Sequence, residues 1–145
     1  MKHALALVAL LLSVGASAQM IATEPALIQP QELAAILQSN QPKPLILNIG
    51  PSMLYAQAHI TGAEYIGATS EEAGRQALRS RVKNVPKKQS IVLYCGCCPW
   101  SHCPNVHPAY KELVDLGFRN VKVLYIANNF GADWVYRGYP TERGR

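Results

Sequence analysis

The chain has 145 residues, 49% of them hydrophobic and 16% charged, with a formal net charge of +5. This suits one domain with a packed core, and no repeat or low-complexity segment interrupts it. The basic residues Arg75, Arg79, Arg81, Lys83, Lys87 and Lys88 read as a solvated helix and turn; a run of that kind is too weak a signal for a nucleic-acid partner.

The N-terminus reads as a secretory leader. Met1-Lys2-His3 is a short basic head, Ala4 to Val14 is apolar, and Ala16-Ser17-Ala18 fits a small-residue cleavage site. Residues 1–18 are therefore expected to be a signal peptide, and the mature protein to begin at Gln19. The apolar stretch is short for a membrane span, and no cysteine sits at the cleavage site for lipid attachment. Loss of Lys2 lowers the basic count from 14 to 13 against 9 acidic residues, a net +4. No later stretch is long enough to cross a membrane. Export would place the protein in a periplasm or outside the cell, where thiols meet oxidants.

From Gln19 onward, helices alternate with strands. Pro30 to Leu37 reads as an amphipathic helix with proline near its start. Leu45 to Ile49 has the length and apolar character of a strand buried on both faces. Leu54 to Ala58 is a short helix and Glu64 to Gly67 a short strand. Glu71 to Val82 is a polar helix, with Gly74 as its weak point. Val85-Pro86-Lys87-Lys88 is a turn before the buried strand Ile91 to Tyr94. Asn105 to Leu116 is a helix, with Asn105 as its cap, Pro108 in its first turn and Gly117 at its stop. Val121 to Tyr125 is a strand, and Ala132 to Arg137 a last short helix. The repeated β-α order predicts a parallel α/β sandwich.

All four cysteines fall within nine residues, Cys95-Gly96-Cys97-Cys98-Pro99-Trp100-Ser101-His102-Cys103. The cluster starts where the strand Ile91 to Tyr94 ends, and ligands and reacting groups in open parallel sheets gather at such ends. So local a group cannot staple distant segments. It presents sulfur. Cys95-Gly96-Cys97-Cys98-Pro99 also has the look of a thioredoxin Cys-Gly-x-Cys loop, but too few elements follow it for that fold.

Several segments in order resemble a rhodanese-type domain, from about Ala26 to Glu142. They are Leu45-Ile46-Leu47-Asn48-Ile49, His59-Ile60-Thr61-Gly62-Ala63, Ile91-Val92-Leu93-Tyr94-Cys95, Gly117-Phe118-Arg119-Asn120-Val121 and Trp134-Val135-Tyr136-Arg137-Gly138-Tyr139-Pro140. The resemblance implies a three-layer sandwich around a mostly parallel sheet of about five strands. It also implies a sulfurtransferase whose cysteine, here Cys95, takes up sulfane sulfur as a persulfide and passes it on. The chain departs from the family pattern at Asn48-Ile49-Gly50, where Asp-Val-Arg is usual. The stretch from Cys95 to Gly117 is longer than the family's compact turn, and no arginine or lysine lies between Cys95 and His107. Asn128-Asn129 replaces a Gly-Gly pair. Without Cys-x5-Arg, the phosphatase branch of this architecture is excluded, because phosphate binding needs that arginine.

Sulfur transfer needs a thiolate, and backbone N–H groups in a loop before a helix can stabilise one. Cys95 is the expected nucleophile, with Cys97 and Cys98 as competitors. Cys97, Cys98 or Cys103 could resolve a Cys95 persulfide, Cys103 foremost because it lies toward the helix; turnover then needs a reductant. The expected partners are a small sulfur donor or thiol acceptor and a redox partner protein, with no resident cofactor. An alternative reading makes Cys95, Cys97, Cys98, Cys103 and His102 soft ligands for copper or zinc. A non-catalytic interaction module is a further alternative, disfavoured by the surplus of cysteine. Trp100 is expected as a lid over the sulfur or a docking surface, and Trp134, Tyr94 and His59 as structural residues.

Overall fold

Side chains alternate between the two faces of a strand, and the central strand is apolar on both. The computed structural model describes residues 24–144; the leader at 1–18 and the expected start at Gln19 lie outside the described residues. The strands are β1 (Leu27–Ile28), β2 (Leu45–Asn48), β3 (His59–Ile60), β4 (Glu64–Tyr65), β5 (Ile91–Tyr94), β6 (Val121–Leu124) and β7 (Thr141–Glu142). The helices are α1 (Pro30–Gln38), α2 (Ser52–Gln57), α3 (Glu72–Val82), α4 (Val106–Asp115) and α5 (Phe130–Asp133). Single 3-10 turns span Trp100–His102 and Val135–Arg137. No described helix is long and apolar enough to cross a membrane.

Five strands form a parallel sheet in the order β1-β6-β5-β2-β4, and β3 pairs with β7 in a separate antiparallel ribbon. In the centre, Leu47 lies opposite Leu93, and Leu93 opposite Val123. Every residue of β5 is buried. Ile91 and Leu93 pack with Leu78 and Val82 of α3 and with Ala109 and Leu113 of α4. Val92 and Tyr94 belong to the opposite core, with Leu33 and Ala34 of α1, Phe130 and Trp134. Each fully buried aliphatic side chain contributes about 1.5–3 kcal/mol. These two cores on either side of one sheet make the expected three-layer α/β sandwich.

Three expectations change. First, β1, β3 and β7 were not anticipated: two residues each are too few to show a period. Second, the last helix is not continuous over 132–137. It is α5 followed by a 3-10 turn, broken at Trp134, with the Asn129 side chain accepting a hydrogen bond from the Ala132 N–H (3.0 Å). Trp134 is fully buried and donates its ring N–H to the Pro140 carbonyl (3.0 Å), so it is structural as expected. Third, Gly74 has a packing role besides its low helix propensity. A Cβ there would lie 2.1 Å from the Ala68 carbonyl oxygen, so glycine lets α3 approach the preceding loop.

The three arginines of the basic stretch are paired within the scaffold. Arg75 and Arg79 pair with Glu72, Arg79 also with Glu112 of α4, and Arg81 with Glu64 of β4. Such partly exposed pairs contribute up to about 1 kcal/mol each. They orient α3 against α4 and β4.

Candidate active site: the four-cysteine loop

The alternation that buries Ile91 and Leu93 against α4 carries one step further to Cys95, which lies in the same core and is only 4% exposed. The chain then turns at Gly96, whose φ of +87° is a left-handed conformation suited to glycine. The Gly96 carbonyl accepts a hydrogen bond from the Phe130 N–H (3.1 Å), and the Trp100 N–H donates to the Ile126 carbonyl (2.9 Å). These two bonds tie the loop to the segment after β6. The 3-10 turn from Trp100 then brings Cys103 back into the core that holds Cys95. Trp100 is half-buried and packs against this same core, as does Cys98.

The end of β2 makes room for the loop. A Cβ on Gly50 would lie 2.5 Å from the Cys95 carbonyl oxygen and 3.0 Å from its sulfur. Only a residue without a side chain fits between the end of β2 and Cys95. Asn48 is buried and accepts a hydrogen bond from the Gly50 N–H (3.1 Å).

The sulfur atoms converge unequally. Cys97 Sγ lies 3.3 Å from Cys95 Sγ, 2.9 Å from Cys98 Sγ and 4.0 Å from Cys103 Sγ. Cys95, Cys97 and Cys103 form a group whose sulfurs all lie within 4.8 Å of one another. Cys98 and His102 are outside that group. His102 is exposed, with its Nδ1 3.0 Å from the Ser101 hydroxyl. The five-residue ligand set of the alternative reading thus contracts to three sulfurs. All four cysteines are free thiols; Cys95 and Cys103 are buried, Cys98 is half-buried and Cys97 exposed.

Asn105 was expected to cap α4, but its backbone is helical and its side chain makes no cap. Its amide instead donates to Cys95 Sγ (3.4 Å), and its side-chain oxygen accepts from the Ser70 N–H (2.9 Å). Its carbonyl accepts from the Thr69 hydroxyl (2.6 Å). Asn105 thus joins the start of α4, the loop before α3 and the sulfur of Cys95. Gly50, Thr69, Ser70 and Asn105 were all missed as site residues. No sequence spacing signals them, because their partners are remote in the chain.

Of the cysteines in the sulfur triangle, Cys95 is the one whose pKa is lowered. Its pKa is pulled down to about 6, first by the Cys103 thiol bonding to it, and then by the Cys97 N–H, the Asn105 amide and the Cys97 thiol; burial opposes these. The Cys103 thiol is pushed up, mainly by the Cys95 sulfur beside it and then by burial. Cys97 is exposed as a residue, but its sulfur lies among the others; desolvation, then the Cys98 and Cys95 sulfurs, push it up to about 12. The neighbouring sulfurs thus favour the anionic form at Cys95 and disfavour it at Cys97 and Cys103. A thiolate near pH 7 is nucleophilic, and a neutral thiol is not.

Two expected structural residues lie on other elements. His59 is buried, stacks on Tyr55 at 3.9 Å, and places Nδ1 2.9 Å from the Tyr55 carbonyl. The Tyr94 hydroxyl accepts from the Ile60 N–H (3.2 Å). A surface hollow of about 210 Å³ between Gln29, Tyr125, Asp133 and Arg137 includes no cysteine.

Comparison with known proteins agrees with this fold. The rhodanese-like domain of the Alr3790 protein from Anabaena sp. is 23% identical, with a TM-score of 0.59, covering 83% of this chain and 80% of its own. The BH2092 protein from Bacillus halodurans is 19% identical, with a TM-score of 0.61, covering 82% of this chain and 77% of its own. A variant of EanB, whose structure carries a cysteine persulfide in a tetrahedral intermediate state with ergothioneine, is 23% identical with a TM-score of 0.63. The match covers 81% of this chain but 28% of EanB. No match was found among curated proteins. The family model of the rhodanese-like domain matches residues 29–125, which run from the start of α1 through the cysteine loop to the end of β6. The chain belongs to the rhodanese-like domain family.

Proposed function

We propose that the protein is an exported sulfurtransferase that carries sulfane sulfur as a persulfide on Cys95. The observation that carries this reading is the placement of one cysteine at the end of the central strand, its sulfur 3.3 Å from Cys97 Sγ and accepting the Asn105 amide at 3.4 Å, with the Cys103 thiol beside it lowering its pKa. EanB, of similar fold, forms a cysteine persulfide. The leader pattern at residues 1–18 supports export to a periplasm or the exterior.

In the first step the Cys95 thiolate attacks the outer sulfur of a donor persulfide. A new S–S bond forms, the donor's S–S bond breaks, and the donor leaves as a thiolate. In the second, a partner thiolate takes the outer sulfur from Cys95. Alternatively, the Cys97 thiol passes its proton to the outer sulfur of the persulfide, and the Cys97 thiolate so formed attacks the inner sulfur. A Cys95–Cys97 disulfide forms and hydrosulfide leaves, and a dithiol reductant then restores both thiols. This reading gives resolution to Cys97 rather than Cys103, because Cys97 is exposed with its sulfur 3.3 Å from Cys95. The loop carries no cation to hold a dianionic donor, which favours a neutral or protein-bound donor over thiosulfate.

The test gives reduced protein an organic persulfide and maps the added sulfur by peptide mass spectrometry. Sulfur is expected on Cys95, with none taken up by Cys95→Ser. In Cys97→Ser the persulfide should persist and hydrosulfide release should slow. Sulfur on Cys97 or Cys98, with full activity in Cys95→Ser, would overturn the assignment.

A further inference from the structure

We propose that Cys95, Cys97 and Cys103 also form a three-sulfur site for the soft monovalent cation Cu(I), a capacity separate from sulfur transfer. The three sulfurs lie within 4.8 Å of one another, with separations of 3.3 Å from Cys97 to Cys95 and 4.0 Å from Cys97 to Cys103. A metal–thiolate bond is about 2.3 Å long, which spaces three sulfurs about 4.0 Å apart around a trigonal centre. The existing triangle reaches that geometry by shifts of roughly half an ångström at each sulfur.

The donor set decides which ion fits. Closed zinc sites take four ligands, and among the described residues this group holds three sulfurs and no histidine or carboxylate. Cys98 touches Cys97 at 2.9 Å but lies outside the triangle. His102 is exposed, beside the Ser101 hydroxyl. An all-thiolate set of three selects a soft ion, and Cu(I) is the soft ion that thiolates favour.

The surroundings hold two ligands and leave the third as the door. Cys95 and Cys103 are 4% and 3% exposed and packed into the core beside α4. The Asn105 amide steadies the Cys95 sulfur, the kind of outer partner that orients a metal ligand. Cys97 is the one residue of the three that is not buried, so an ion passed from a thiol carrier reaches its side of the triangle first and then moves inward. Binding replaces the hydrogen-bonded protons among the sulfurs, and those protons leave to solvent. Because the ion needs the Cys95 sulfur, Cu(I) and a persulfide compete for it.

The test is an anaerobic titration of the reduced full chain with Cu(I) against a competing chelator, with no sulfur donor present, followed by X-ray absorption to count sulfurs. One Cu(I) per chain in a three-sulfur shell is expected. Cys97→Ser, a change at an exposed position, should weaken binding by about 100-fold or more, beyond the cost of losing an outer partner. Cys98→Ser should change it by less than about threefold, since that sulfur stays outside the shell. Absence of stoichiometric binding, a four-ligand shell, or equal losses from Cys97→Ser and Cys98→Ser would overturn the proposal. Because the readout is metal affinity, its failure leaves the sulfur-transfer reading standing, and the reverse also holds.

Discussion

Replacing Asn105 tests whether the cradle around Cys95 sets its ionisation. A hydrogen bond to a charged group contributes about 1.5–3 kcal/mol, and one pKa unit corresponds to about 1.4 kcal/mol. The Asn105 amide meets Cys95 Sγ at 3.4 Å, a long contact to a weak acceptor, so the lower end applies. Asn105→Ala should then raise the Cys95 midpoint from about 6 to about 7. The Cys103 thiol, the largest stabilising partner, remains and prevents a full return to the ordinary value. The same variant leaves the Ser70 N–H without its acceptor, at a cost of about 1–2 kcal/mol of stability. Asn105→Asp separates the two effects: it keeps an acceptor for Ser70 but sets a carboxylate against the thiolate. Its midpoint should rise further than that of Asn105→Ala. The assay is the rate of alkylation by iodoacetamide against pH, read on the Cys95 peptide by mass spectrometry. A midpoint within about 0.3 unit of wild type in Asn105→Ala, or a lower midpoint in Asn105→Asp than in Asn105→Ala, would refute the reasoning.

Other consequences can be measured on the same protein. Gly50→Ala would force a Cβ to 2.5 Å from the Cys95 carbonyl oxygen; urea unfolding should show a loss of about 1–3 kcal/mol, with slower persulfide formation. The depressed Cys95 pKa also links stability to pH. Its contribution is present above about pH 8.5, the usual thiol value, and is lost as pH falls through about 6. Reduced wild type should therefore gain stability across that window, and Cys95→Ser should lose most of the gain. Above the window Cys97 and Cys103, whose thiols are pushed up, act in the opposite direction. N-terminal sequencing of exported protein should begin at Gln19; Met1 on most of the mature material would exclude cleavage.

Much of the scaffold could be read directly from residue order. β2, β5 and β6 are apolar runs of strand length, and α1, α3 and α4 carry their boundaries in proline, glycine and helical periodicity. These are local signals, written over a few consecutive residues. The site's address was local too: Cys95 directly follows β5, so its place at a strand's carboxyl end needed no tertiary information. The roles within the site were a different matter. Gly50 matters because β2 pairs beside β5, which sets it against a cysteine 45 positions later. Asn105 looked like a helix cap, yet its side chain bonds Ser70 and Cys95, 35 and 10 residues away. Gly74 looked like a propensity defect until the approach of Ala68 gave it a reason. Even within the loop, the spacing of four cysteines left their geometry open. Only the turn at Gly96 and the tethers to Ile126 and Phe130 decided that Cys97 would lie between the other three sulfurs and His102 outside them. Periodicity and capping act through neighbours in the chain. Hydrogen bonds to a sulfur and the clearance for a Cβ act through neighbours in space, and those exist only once the sheet has closed.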